Sequence, residues 1–307
     1  MGLRIRTNVA SQNAQRRLAS SVGKLTESAS KLASGKRINK AADDAAGLAI
    51  SSNLSADIRS LGQARRNAQD GISLVQTAEG ALEETTNMIT RLRELAVQAA
   101  SDTIGDTERG FLDREYVAVK DEIDRIATAT EFNGTRLITG KTELPDEIAN
   151  AEGTFPLEIQ VGKDYYAGAD AIDNRNQTNI IKLDLSNINA FTEGDGSLNL
   201  GRAEDGTRVH TKAGAQSSIG LLDSAIVQVN SYRAYLGAIQ NRLGSAADNL
   251  AVTSENLTQA NSRIMDTDFA EETSVYTSQN ILKQAGTSIL SQANQLPQAA
   301  MSLLQNL

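Results

Sequence analysis

Apolar side chains recur at every seventh position along two long stretches of this chain. Stepping from residue 54 gives Leu54, Leu61, Ala68, Val75, Leu82, Ile89 and Ala96, without a miss. Stepping from residue 222 gives Leu222, Val229, Leu236, Leu243, Leu250, Leu257 and Ile264. A companion stripe runs three residues behind the second set, through Ala225, Tyr232, Ile239, Ala246, Thr253 and Ala260. Beside the first set a drifting stripe passes through Ile58, Ile72, Ala78, Leu92 and Ala99. A strict seven-residue period holds one face toward a partner only if helices wind around one another. Each stretch, about 42 residues, spans roughly 63 Å as helix. The expectation is mainly α: an elongated bundle of long, coiled-coil-like helices rather than an enzyme with a cleft. Leu54, Leu61, Val75, Leu82, Ile89, Leu222, Val229, Leu236, Leu243, Leu250, Leu257 and Ile264 are the expected rod core.

Punctuation along the chain supports that layout. A third helical stripe reads Leu112, Tyr116, Val119, Ile123, Ile126. Gly35 ends a first helical run, and Asp43 and Asp44 open the long one, where carboxylates suit free N–H groups. The stretch from Asp102 to Gly110 reverses the chain, and Asn133–Gly134 is a turn after the third helix. In the middle the period changes to two: Leu157, Ile159, Val161, then Ile181, Leu183, Leu185. These read as two half-buried strands, giving a small β-hairpin and strand-and-loop module over 141–215. That module is acidic and is expected to be the most exposed part.

Composition closes off several chemistries. There is no cysteine, so disulfides, thiolate metal sites and Cys nucleophiles are excluded. The single histidine, His210, cannot build a multi-His zinc site, and it stands alone in Arg208–Val209–His210–Thr211. No phosphate-cradling loop is present. No catalytic, cofactor or metal site is expected. No segment approaches the roughly 20 apolar residues of a membrane span, and the N-terminus has no signal-peptide core, so such a chain would need another route if it left the cell. Residues 1–44 hold nine basic and three acidic side chains. Their spread, with no interleaved aromatics, points to a basic helix face and not to a nucleic-acid arm.

The two ends have sparse stripes. Leu18, Val22, Leu25 and Leu32 mark one face of the first; Leu282, Ile289, Leu296, Leu303 and Leu304 mark the last. Their flanks are Ser, Asn, Gln and Ala. A lone helix of this kind buries too little to offset an ordering cost of about 1–2 kcal/mol per residue. Such ends are expected to order when copies pack together, and a contact whose rotation does not close generates a helical filament. The nine apolar residues just named are the expected polymerisation interface.

Long motifs at both ends resemble bacterial flagellin. In the N-terminal part they are Ser34–Gly35–Lys36–Arg37–Ile38–Asn39, Ala41–Ala42–Asp43–Asp44–Ala45–Ala46–Gly47–Leu48, and the run from Asp70 to Leu82. In the C-terminal part they are Leu236–Gly237–Ala238–Ile239–Gln240–Asn241–Arg242–Leu243, Ser262–Arg263–Ile264–Met265–Asp266, and Gln292–Ala293–Asn294–Gln295–Leu296–Pro297. The resemblance implies three regions. Residues 1–43 and 266–307 would form a terminal helical pair lining an inner tube, disordered in the monomer. Residues 44–140 and 216–265 would form the helical rod. Residues 141–215 would hold the hairpin and a short variable segment, with little or no outer domain. It further implies a secreted subunit of the extracellular filament, exported through the flagellar channel. Implied partners are further copies, an export chaperone on 266–307, and hook-associated and cap proteins. In some flagellins an animal Toll-like receptor binds the helical layer; the matching positions here are Arg91, Leu95 and Glu115, whose primary expected role is packing. The alternative is the hook–filament junction protein, whose termini are similar; the density of the match over 34–50 and 292–298 favours flagellin.

Overall fold

The computed structural model describes residues 7–140, 155–165, 178–193, 196–201 and 206–305, with side chains through 295. Among them are five long helices: α1 (Val9–Ser34), α2 (Ala45–Ala99), α3 (Asp106–Ala129), α4 (Lys212–Met265) and α5 (Phe269–Gln305). Two small antiparallel strand pairs accompany them, β1 (Glu131–Phe132) with β2 (Thr135–Arg136), and β3 (Leu157–Gln160) with β4 (Ile180–Leu183). The fold is mainly α, as the seven-residue period requires. The chain divides into a terminal unit, Met1–Ile58 with Glu255–Leu307, and a central unit, Arg59–Ser254. This division differs from the boundaries expected at 43 and 266: the first turns of α2 and the last of α4 join the terminal unit. Ser51 Oγ donates to Asn261 Oδ1 at 2.6 Å there.

In the central unit the buried face of α2 runs Leu61, Ala64, Ala68, Gly71, Val75, Ala78, Leu82, Thr85, Ile89, Leu92, Ala96, Ala99. The alternating steps of three and four are those of a coiled-coil seam. The companion stripe is therefore set at 64, 71, 78, 85, 92 and 99, and Ile72 is only half-buried. Two members would not be chosen from hydropathy. Gly71 is used because a Cβ there would stand 2.6 Å from Ile159 Cδ1 of β3 and 3.3 Å from Leu243 Cδ1 of α4. Thr85 is fully buried, and its hydroxyl donates to the Ala81 carbonyl at 2.9 Å. The α4 seam runs Ala215, Ser218, Leu222, Ala225, Val229, then Leu236, Ile239, Leu243 and Leu250.

Three sequence expectations are corrected here. First, the chain reversal is shorter than expected, because Gly110 lies inside α3. Secondly, the buried face of α3 is rotated from the apolar stripe: Leu112, Val119 and Ile126 are half-buried. Its buried residues are Arg109, Asp113, Tyr116, Lys120, Ile123, Asp124 and Ala127. Thirdly, the described parts of the middle module are not an exposed appendage. Ile181, Leu183, Leu185, Ile188, Ala190, Leu198, Leu200 and Val209 belong to the same apolar cluster as α2, α3 and α4. The strands lie where the period of two places them, with Leu157 paired to Leu183 and Ile159 to Ile181. Asn133 and Gly134, at φ 50 and 80, form the two-residue turn between β1 and β2, the geometry that Asn–Gly favours.

The charges on the inner face of α3 explain why the polar middle packs inward. Asp113 Oδ1 accepts the Val209 N–H at 3.0 Å. Asp124 accepts the Thr192 N–H at 2.8 Å and its hydroxyl at 2.9 Å. Lys120 Nζ donates to the carbonyl oxygens of Leu200 (3.1 Å), Gly201 and Thr207 (3.2 Å). Main-chain groups of Thr192, Leu200, Thr207 and Val209, in the strap made by the described residues of 192–209 and buried outside the strand pairs, thereby find partners.

Candidate assembly interface

In the terminal unit α1 is started by Asn8, whose side-chain oxygen accepts the Ser11 N–H at 3.0 Å, and stopped by Gly35 in the left-handed conformation at φ 69. Its inward face is small and polar: Ser11, Ala14 and Ser28 are the buried residues. They meet α5 through three long-range hydrogen bonds. Asn8 Nδ2 donates to the Ala293 carbonyl (2.8 Å), Ser11 Oγ to Asn294 Oδ1 (2.8 Å), and Ser28 Oγ to the Glu272 carbonyl (3.2 Å). Gly286 brings the helices close, since a Cβ there would lie 3.3 Å from Leu18 Cδ1. Ala293 is buried beside them.

This seam leaves the larger apolar groups outside. Leu282 is 52% exposed and Ile289 58%, and Phe269 and Ile281 are also exposed. On α1, Leu18, Leu25 and Leu32 are half-buried and Val22 is exposed. The side chains of Leu296, Leu303 and Leu304 lie outside the described residues. The apolar residues of α5 thus do not pair chiefly with α1. They form an outward face of the kind that marks a protein–protein contact.

Of the expected rod core, Leu61, Val75, Leu82, Ile89, Leu222, Val229, Leu236, Leu243 and Leu250 are buried in the central unit. Leu54, Leu257 and Ile264 belong to the terminal unit and are half-buried.

The receptor-matching positions separate into two kinds. Arg91 on α2 donates Nε and Nη2 to Glu115 Oε1 on α3 at 3.0 and 2.6 Å, and Nη1 to Glu94 at 3.0 Å. Those acceptors raise the guanidinium pKa further, Glu115 most. The pair rims a groove of about 350 Å³ lined by Asn87, Met88, Arg91, Glu115, Ala118, Val119 and Glu122. Leu95, by contrast, is fully buried in the core cluster. It offers no surface to a partner in this conformation, because it sits on the seam side of α2 one residue before Ala96.

Among the described residues there is no group of three or more His, Asp or Glu side chains able to hold a metal. His210 lies on the surface. No helix among them is long and apolar enough to cross a membrane. Sequence reasoning places Ala14 on the inward face of α1 but missed Ser11 and Ser28 beside it, and it missed the Asp113–Lys120–Asp124 row. The latter left a legible signal: charges at steps of seven and four on the side of α3 that holds Tyr116 and Ile123.

Residues 5–143 match the family described as the bacterial flagellin N-terminal helical region, and residues 219–304 the C-terminal helical region. The chain is 40% identical over 318 residues to a flagellin of Bacillus subtilis strain 168, covering 99% of this chain and all of that one. It is 37% identical over 379 residues to flagellin A of Vibrio anguillarum, again covering 99% of this chain and all of that one. A flagellar hook-associated protein from Vibrio parahaemolyticus is similar in fold at 14% identity, with a TM-score of 0.53, covering 73% of this chain and all of that one.

Proposed function

The chain belongs to the bacterial flagellin family, and on that premise we propose that α1 and α5 supply the contacts by which its copies polymerise. It is a structural subunit of the helical flagellar filament, and its function is assembly, not catalysis. The observation that supports the residue-level reading is the outward apolar face of α5, with Leu282 and Ile289 more than half exposed while Ser and Ala hold the α1 seam. Burying the exposed half of each such side chain contributes roughly 1 kcal/mol, enough, repeated along a filament, to drive association. Leu18, Val22, Leu25, Leu32, Leu296, Leu303 and Leu304 complete the proposed surface.

The finer partners follow from the same family membership. Export proceeds through the flagellar channel, with a chaperone covering 266–307 until release; the exposed apolar face of α5 is a surface that needs such cover. Hook-associated and cap proteins meet the filament at its two ends. Where a Toll-like receptor engages, Arg91 and Glu115 at the rim of the α2–α3 groove are accessible, and Leu95 acts by holding α2 in place.

The test is elongation of seed filaments by purified chain. Leu282→Asp with Ile289→Asp abolishes elongation and leaves the unfolding of the central unit unchanged, and removal of the last 20 or so residues does the same. Normal elongation by either variant would place the interface elsewhere.

A further inference from the structure

Two connections of the terminal unit touch at the ends of the helices they join. The α1–α2 connection and the α4–α5 connection form an antiparallel bridge at Lys36 and Asp266. The Arg37 N–H donates to the Met265 carbonyl at 2.6 Å, and the Thr267 N–H to the Gly35 carbonyl at 3.1 Å. The Arg37 guanidinium adds a bond to the Ile264 carbonyl at 2.8 Å. Each connection is stiffened from within. Asp43 Oδ2 accepts the N–H groups of Asn39 and Lys40, both at 2.9 Å, and these bonds hold its carboxyl below the usual range. Asp268 accepts the Ala270 N–H at 2.8 Å at the start of α5. Ile38 is buried beside Gly47, where a Cβ would meet Ile38 Cδ1 at 2.7 Å.

From this junction the α1–α5 seam keeps one antiparallel register. Lys36 faces Asp266, Ser28 meets Glu272, Leu18 lies on Gly286, and Asn8 reaches Ala293 at the far end. The seam itself specifies that register weakly. Apart from Leu18 on Gly286, its contacts are small side chains and single hydrogen bonds, and α1 offers similar Ala and Ser positions at neighbouring turns, such as Ala10, Ala19 and Ser21. A surface without large interdigitating groups tolerates slippage unless something else fixes the pairing, as in flat, featureless strands.

We infer that the Gly35–Arg37/Met265–Thr267 junction is a clasp that sets the register of α1 against α5 and from which the two helices zip toward their free ends. It holds the last turn of α1 and the first turn of α5 together, so pairing becomes an intramolecular event at high effective concentration. Gly35 is the position that only glycine fills without strain, because its φ of 69 lets α1 stop and the chain turn into the bridge. The clasp deepens the assembly reading: a subunit adding to a filament presents its outward apolar face at the correct height only when α1 and α5 are in register.

The experiment uses the full chain, which has no native cysteine. A Lys36→Cys/Asp266→Cys double variant places two thiols at bridge partners, whose spacing in an antiparallel pair suits a disulfide. Oxidation slows amide exchange over 9–34 and 269–295 in the monomer by about tenfold or more relative to the reduced form, with 75–96 unchanged as the check on folding. Equal exchange in both forms overturns the clasp. In a second arm Gly35→Val slows elongation on seeds by about tenfold, while Gly23→Ala, in open space on the same helix, does not. Elongation by Gly35→Val at the wild-type rate also overturns it. If the wild-type chain itself does not elongate, the assembly reading fails, and the exchange arm still decides the clasp.

Discussion

Lys120 and Thr207 face each other inside the central unit: the ammonium, 3% exposed, donates to the Thr207 carbonyl at 3.2 Å. The same ammonium reaches the carbonyls of Leu200 and Gly201. Replacing it by methionine keeps the apolar stem and removes the donor from the buried Leu200 and Thr207 carbonyls and the half-buried Gly201 carbonyl. Lys120→Met is expected to destabilise the central unit by about 1–3 kcal/mol and to raise amide exchange over 196–209 first. A variant as stable as the wild type, with unchanged exchange there, would show that the strap is held by its apolar residues alone.

Burial pushes the Lys120 ammonium down to about 8, partly countered by the nearby Asp124 carboxylate, from an ordinary value of 10.5. Between those two values the unfolded chain binds more protons at this site than the folded one. The site's contribution to stability therefore rises with pH across that window and is flat below it. In denaturant titrations the gap between wild type and Lys120→Met is expected to widen from pH 8 to pH 10 and to stay constant from pH 6 to 7.5. A gap that narrows above pH 8 would mean the ammonium is favoured, not penalised, in the interior.

Leu221 and Leu222 are adjacent in sequence and opposite in consequence. Leu222 is fully buried on the α4 seam, and Leu221 is 39% exposed. Leu222→Asp introduces a charge without a partner into the interior and is expected to cost several kcal/mol (roughly 3–5). Leu221→Asp is expected to stay within about 0.5 kcal/mol of the wild type. Equal effects on the melting curve would mean the helix is rotated from the orientation described.

Gly71 and Ile159 form a testable pair. Gly71→Ala gains helix propensity of about 1 kcal/mol but sets a methyl against Ile159 Cδ1. The expected result is a net loss in the wild-type background and a net gain in an Ile159→Ala background, read as a coupling energy in a double-mutant cycle. Additive effects would mean the contact relaxes freely.

Arg91 and Leu95 distinguish surface from core at the α2–α3 groove. Arg91→Gln is expected to leave the melting curve in place, because its partners are solvated. Leu95→Ala is expected to cost about 2–5 kcal/mol as a cavity. Any loss of partner binding by Leu95→Ala should therefore track loss of stability, whereas loss by Arg91→Gln should not.

The seams of α2 and α4 were legible because Leu82 and Leu236 announce a period of seven. The strands were legible because Ile159 and Ile181 sit in a period of two. Three kinds of feature were not. Gly71 and Ser28 occupy inward positions for want of space, and hydropathy does not register close approach. Asp113, Lys120 and Asp124 carry a spacing signal, but their partners carry none, since those are main-chain groups more than 60 residues away along the chain. The α1–α5 pairing rests on Ser11 and Ser28 beside Ala14, and small polar residues leave no apolar stripe to read.

The grip of α3 on the strap falls on the Thr192 and Val209 N–H groups and on the carbonyls of Leu200, Gly201 and Thr207. Main-chain atoms thus supply most of the polar anchorage. Apart from the buried Leu198, Leu200 and Val209, residues along that loop are free to change identity as long as the backbone keeps its path, so a lineage can redecorate this stretch while the helices beneath it stay as they are.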